Sequence, residues 1–250
     1  MDERELIVQM NDAYERNFTG WDFDLINSKT DESEDPWDYR QIVETALQTK
    51  TSVLDMGTGG GEFLFSLKNF PSRVCATEGY EKNLPVAKKR LKKKGIEVKF
   101  ISANKIPYEC GQFDIIINRH ESFDAQEVHR VLKRKGVFIT QQVGGMNDSN
   151  LNFDLNAKAG VYLTWNLFKA AEGLEKAGFK IERKANSIGY TRFYDIMTLV
   201  YYLKCIPWQI EDFSIDTHRD RLISIHDYIS ENGYYDLIRH RFLLVCSKKS

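Results

Sequence analysis

The chain has 250 residues, with 35 Lys+Arg against 36 Asp+Glu and a formal net charge of −1. That balance excludes recruitment of nucleic acid or an anionic membrane by overall charge, so neither partner is expected. With 42% hydrophobic and 28% charged residues, the composition is that of an ordinary globular protein able to build one sizeable core.

The middle of the chain alternates short β-branched runs with amphipathic helical patterns, which predicts an α/β, doubly wound parallel sheet with crossover helices. Ser52-Val-Leu-Asp-Met56 reads as a buried strand, followed by a Gly-rich turn and a helix from about Glu62 to Lys68. Arg73 to Thr77 is a second strand, Glu81 to Lys94 a helix with Pro85 in its first turn and Gly95 as its stop, and Val98 to Ile101 a third strand. Phe113 to Ile117 is apolar enough to be central. Asp124 is placed to cap a helix running to about Lys135, with Gly136 as its break and Val137 to Thr140 as the fifth strand. A helix over Thr164 to Lys176, a strand opening at Phe179 to Glu182 and a last strand at Leu243 to Cys246 complete seven strands.

Two segments fall outside this rhythm. Residues 1–40 carry Tyr14, Phe18, Trp21, Phe23, Trp37 and Tyr39 among many acids, and residues 191–238 carry Phe193, Tyr194, Tyr201, Tyr202, Trp208 and Phe213. They are expected to be an N-terminal lid segment and a helical insertion forming a substrate lid. Residues 41–190 are then the core, and 239–250 its final strand.

No apolar stretch reaches transmembrane length, because Ile196 to Ile206 is broken by Tyr201, Tyr202 and Lys204. Cys75, Cys110, Cys205 and Cys246 form no C-x-x-C pair, and the start Met1-Asp-Glu-Arg-Glu has no secretory character, so a cytoplasmic location is expected. His120, His129, His218, His226 and His240 show no metal-ligand spacing, and no metal site is expected. Lys88 to Lys94 is a dense basic run that reads as a solvated helix face.

The informative run is Val53-Leu-Asp-Met-Gly-Thr-Gly-Gly-Gly-Glu62. Glycines at a strand-to-helix turn let a ligand approach the backbone closely. A phosphate-cradling Walker loop needs Gly-Lys-Ser/Thr after the glycines, which is missing here. The dinucleotide pattern G-x-G-x-x-G puts glycine where this chain has Glu62, and a carboxylate at a helix start repels a pyrophosphate. Asp55 and Glu62 instead suit a ligand that carries an ammonium group and a sulfonium. Glu78, about twenty residues past the turn, is placed to accept hydrogen bonds from both ribose hydroxyls.

These residues resemble the first motif of the class I S-adenosylmethionine-dependent methyltransferases, with Glu78 similar to their ribose-binding acid. Ser102-Ala-Asn-Lys-Ile-Pro107 resembles the stretch that lines the adenine, Phe113 to Asn118 the fourth strand, and Leu132 to Val137 the turn into the fifth. The resemblance covers roughly residues 50–145. It departs at Ser102, where the family usually has Asp, and at Arg134-Lys-Gly136, where it usually has Pro-Gly-Gly. It implies a Rossmann-like seven-stranded, mostly parallel sheet whose last strand runs antiparallel to its neighbours. S-adenosylmethionine is the implied cofactor, held by Asp55, Gly57, Thr58, Gly59, Gly61, Glu78, Gly79, Ser102, Ala103 and Asn118. His120 and Glu121 are implied to lie near the transferred methyl, with His120 suited to a general base by its ordinary pKa.

The expected activity is methyl transfer to a small-molecule acceptor. Methylation of RNA or protein is the alternative among enzymes, and a protein that binds S-adenosylmethionine without methyl transfer is the alternative outside them. The stretch 102–107, with Arg119 and Gly144, is also similar to ribosomal RNA guanine-N1 methyltransferases, but their N-terminal cysteine-rich zinc module has no counterpart before Cys75.

Overall fold

The computed structural model describes residues 2–16, 26, 28–102 and 105–249. Among these lie eight strands: β1 (Thr30–Glu32), β2 (Ser52–Met56), β3 (Arg73–Glu78), β4 (Glu97–Phe100), β5 (Phe113–Arg119), β6 (Leu132–Val143), β7 (Phe179–Phe193) and β8 (Tyr235–Lys248). The described helices are α1 (Glu3–Glu15), α2 (Tyr39–Leu47), α3 (Glu62–Ser66), α4 (Leu84–Leu91), α5 (Ala125–Val131), α6 (Ser149–Asp154), α7 (Leu167–Lys176), α8 (Ile196–Cys205) and α9 (Arg219–Asn232). The hydrogen-bonded strand order is β1-β7-β8-β6-β5-β2-β3-β4. The fold is therefore α/β with a mostly parallel sheet, and its strand count is eight where seven were expected. The additional strand, Thr-Asp-Glu at β1, has none of the apolar alternation by which a strand is read from sequence.

The chain divides into two compact units. The first comprises residues 36–143, 166–186 and 241–250. Here β3, β2, β5 and β6 pair in parallel in that order, β4 extends the parallel set beyond β3, and β8 runs antiparallel to β6. All five residues of β2 are buried, as a strand covered on both faces requires. Helix α2 presents Tyr39, Val43 and Leu47 as one buried stripe, and Asp38 caps it by accepting from Gln41 N at 3.0 Å, a contact worth about 1 kcal/mol. These residues join Val53, Leu64, Ala76, Leu91, Ile115, Ile139 and Leu243 in one hydrophobic core.

Two expectations change in this unit. The helix capped by Asp124 ends at Val131, not near Lys135, because Leu132 turns extended and pairs with Phe113. Trp37 and Tyr39, grouped by sequence with an N-terminal lid, are core residues here.

The second unit comprises residues 1–35, 144–165 and 187–240. It has its own core, in which Leu6 and Met10 of α1 meet Leu199, Val200 and Leu203 of α8 together with Leu222 and Ile225 of α9. Phe193 and Tyr201 are buried in it, with Tyr14, Tyr202 and Phe213 packed alongside, while Tyr194 and Trp208 stay exposed. Arg239 is held by Asp35 at 2.5 Å and Glu32 at 3.1 Å. Phe18, Trp21 and Phe23 lie outside the described residues. No described helix is long and apolar enough to cross a membrane.

Candidate active site

The order β4-β3-β2-β5-β6 reverses direction between β2 and β5, which opens a crevice at the carboxyl ends of these strands. The Gly-rich turn leaves β2 there, and the segment from Asn118 to Ser122 leaves β5 beside it.

The turn is tight. Gly57 N and Thr58 N both donate to Thr77 O, at 3.1 and 2.9 Å, and Gly61 N donates to Thr58 O at 3.0 Å. Gly57 needs to be glycine twice over. Its φ is +73°, and a Cβ there would meet Cβ and Cγ of Glu121 at 2.4 Å. At Gly59, φ is +62° and a Cβ would meet nothing within 4 Å, so the turn's tip is open to a ligand. Gly61 serves packing instead, since a Cβ would lie 2.9 Å from Leu91 Cγ.

Three carboxylates converge on this turn. Glu78, at the end of β3, accepts from Gly59 N at 2.6 Å and from Tyr80 N at 2.8 Å, one bond to each oxygen. A carboxylate offers about four lone-pair sites, so these bonds, with Gly79 N adding a third, leave capacity for a ribose hydroxyl. Burial pushes the Glu78 carboxyl above its ordinary value, against the pull of its backbone hydrogen bonds to Tyr80, Gly59 and Gly79. Asp55 is 5% exposed and accepts from Thr58 Oγ1 at 2.7 Å. Burial raises it to about 6, with Thr58 and Arg119 opposing and Glu78 adding to the rise. Glu121 is raised by burial and then by the charge of Glu78. Its backbone is fixed by Gln142 Nε2, which donates to Glu121 O at 3.0 Å.

Other expected residues do different work. Asn118, expected beside the cofactor, is fully buried and engaged within the sheet: Oδ1 accepts from Thr140 Oγ1 at 2.8 Å and Gln142 Nε2 at 2.6 Å, and Nδ2 donates to Met56 O at 3.3 Å. Thr58 directs its hydroxyl to Asp55. Ser102 is exposed and bridges to Lys105, Gly79 lies 3.4 Å (as a built Cβ) from Ile101, and Ala103 lies outside the described residues. Glu62 does not face a ligand alone, because the Arg90 guanidinium pairs with it and also donates to Gly60 O. The repulsion argued from its position is therefore partly neutralised.

His120 is exposed with φ of +65°, and its Nε2 lies 3.1 Å from Gln141 Nε2. Sequence reasoning missed the residues behind it. Trp37 Nε1 donates to Gln141 Oε1 at 2.8 Å, Tyr39 Oη donates to Asn118 O at 3.1 Å, and the Arg119 guanidinium stacks over Phe63 at 5.0 Å. The available signal was Gln141-Gln142 after the apolar run Val137 to Ile139, since amides in a buried strand must find partners.

Residues 54–140, which span the turn, β3 to β5 and most of β6, match the family model described as a methyltransferase domain. Over that stretch the chain is similar to a methyltransferase domain. Methyltransferase domains of this kind generally use S-adenosylmethionine. A search of curated proteins returns no match. Solved structures share the fold. A Bacillus halodurans C-125 protein, provisionally named a methyltransferase, is 19% identical with a TM-score of 0.62, covering 85% of this chain and 99% of that one. The YcgJ protein of Bacillus subtilis is 17% identical with a TM-score of 0.59, covering 85% and 98%. The [4+2]-cyclase SpnF is 11% identical with a TM-score of 0.52, covering 98% and 93%. At these identities the likeness is one of fold. The matched stretch lies entirely within the first unit, and it holds Asp55, Glu78 and Glu121 together.

Proposed function

We propose that the protein transfers a methyl group from S-adenosylmethionine to a small-molecule acceptor. The observation that carries this reading is the acid-lined turn: a buried Asp55, Glu78 tied to Gly59 N, and Glu121 laid across Gly57. Such a cradle repels phosphates and favours a ligand with cationic groups and vicinal hydroxyls. Bound there, S-adenosylmethionine would supply an electrophilic methyl on a sulfonium.

Within this reading Glu78 accepts from the ribose hydroxyls, and Asp55 and the Gly57–Gly61 turn hold the amino-acid end. His120 and Glu121, beyond β5, meet the acceptor. Alignment of nucleophile and methyl with exclusion of water supplies much of the rate. Four free thiols agree with a reducing, cytoplasmic setting.

Calorimetry with S-adenosylmethionine, its demethylated product and NADH tests the cofactor, and the first two are expected to bind. A radiolabelled methyl-transfer screen against separated small-molecule and macromolecular extract fractions tests the acceptor. Label in the small-molecule fraction is expected. Label confined to RNA or protein overturns the substrate class, and binding without any transfer makes the protein a sensor or a catalyst of another reaction.

A further inference from the structure

Trp37, Gln141 and His120 form a directed chain of hydrogen bonds in the first unit. The direction follows from donor chemistry. An indole nitrogen only donates, so the Gln141 oxygen must face Trp37 and the Gln141 NH2 must face the imidazole. The NH2 also only donates, so His120 Nε2 must accept, and the ring proton resides on Nδ1. Trp37 and Gln141 are 8% and 7% exposed, which keeps water from substituting for either partner. The same two residues are tied a second time through the backbone, where His120 N donates to Gln141 O at 2.8 Å. Pairing of Arg119 with Gln141 across β5 and β6 holds the neighbouring backbone, so His120 keeps a left-handed φ of +65° that is costly for a residue with a Cβ.

We propose that Gln141, oriented by Trp37, is a positioning residue that holds His120 as the neutral Nδ1–H tautomer, so that His120 meets the methyl acceptor as a hydrogen-bond donor and not as a general base. The functional half rests on the methyl-transfer reading above; the tautomer does not. The lone pair a base would use lies in the Gln141 hydrogen bond. The class of acceptor that fits carries a lone-pair oxygen beside its nucleophile, as in a carbonyl or carboxylate.

Long-range nitrogen–proton NMR of the full-length protein, ring-labelled at histidine and assigned with His120→Gln, reads the tautomer directly. A protonated Nδ1 and a bare Nε2 are expected at neutral pH. In Gln141→Glu a carboxylate accepts from both Trp37 and the ring, so Nε2 should become protonated. Trp37→Phe guards against a misfolded Gln141→Glu, because it keeps an aromatic ring in the core and frees the amide to turn over; a mixture of tautomers is expected. An Nε2–H ring or an imidazolium in the wild type overturns the proposal, as does an unchanged spectrum in both variants. The measurement needs neither cofactor nor acceptor. Failure of the methyl-transfer reading would show separately, as absent S-adenosylmethionine binding in calorimetry.

Discussion

Asp114 and Asp55 stand at opposite ends of the same parallel strands, and the chain treats them in opposite ways. Asp114, near the start of β5, accepts from Ser52 Oγ at 2.7 Å, Thr51 Oγ1 at 2.8 Å and Lys133 Nζ at 2.9 Å. Burial pushes its carboxyl up, but the hydrogen bonds from Ser52, Lys133 and Thr51 outweigh burial and hold it well below the usual carboxylate range. Asp55, near the end of β2, receives one hydroxyl, from Thr58, and burial wins. Glu78 and Glu121 at the same edge are raised as well. At the amino edge the chain satisfies the charge itself, which serves stability. At the carboxyl edge it leaves charge under-satisfied, which is the usual mark of a ligand site.

Asp55 gives the strongest way to break this contrast. An unfolded aspartate titrates near 3.9, by the ordinary value for that side chain. The folded group titrates at about 6. Between these two pH values the folded chain holds a proton that the unfolded chain has released. Its stability is therefore fully present below the lower value and declines as pH rises through the window, by about 3 kcal/mol in total. Asp55→Asn should accordingly be more stable than wild type at pH 7.5, by about 2–3 kcal/mol, and show no advantage at pH 3. Urea unfolding at the two pH values measures it. A cationic ligand favours the charged form, so affinity for S-adenosylmethionine should rise from pH 5 to 7.5. Flat stability and flat affinity would mean that Asp55 carries no unsatisfied charge.

Glu78→Ala sharpens the same contrast through binding. Buried hydroxyls of the ligand lose a charged acceptor, so affinity should fall by about 1–3 kcal/mol. Gly59 N and Tyr80 N lose theirs too, which loosens the turn. Calorimetry on the folded variant decides, and an unchanged dissociation constant would remove Glu78 from the site. Asp114→Asn should do the reverse. It should cost about 1–2 kcal/mol of stability at neutral pH and leave cofactor affinity alone. Because the Asp114 carboxyl is lowered, its contribution is present above the unfolded aspartate value and fades as pH falls below it. The gap between wild type and variant should therefore close on acidification.

How much of this was legible in the sequence follows the range of the interactions. The strand Ser52–Met56, the Asp124 cap and the Gly-rich turn are local features, written in neighbouring residues, and the structure places them as read. Helix α5 ended early because Leu132 pairs with Phe113, nineteen residues away by numbering, and no local breaker marks that point. Asn118 was a cofactor contact only by what the family resemblance implied, and its amide is engaged by Thr140, Gln142 and Met56. The Trp37–Gln141 bond joins residues 104 apart in sequence, and only the folded sheet shows that a residue assigned to a lid orients a residue of the site.

The smallest expected effect concerns His120 and separates two ways of helping the acceptor. His120→Ala should lower kcat/KM by about tenfold, roughly 1.4 kcal/mol, the size of one hydrogen bond. The cofactor dissociation constant should stay nearly unchanged, because the Gly57–Gly61 turn and Glu78 do not depend on the imidazole. His120→Asn is the discriminating variant. Its amide can donate a hydrogen bond but cannot take a proton at neutral pH. If the imidazole holds the acceptor through a donated hydrogen bond, the asparagine variant should recover part of what alanine loses. If the imidazole removes a proton, asparagine should be as slow as alanine, and loss should reach about 100-fold or more. Glu121→Gln run in parallel separates the neighbour, whose carboxylate lies against Gly57 and near the charge of Glu78. A rate that survives in all three variants would leave alignment at the turn as the source of catalysis.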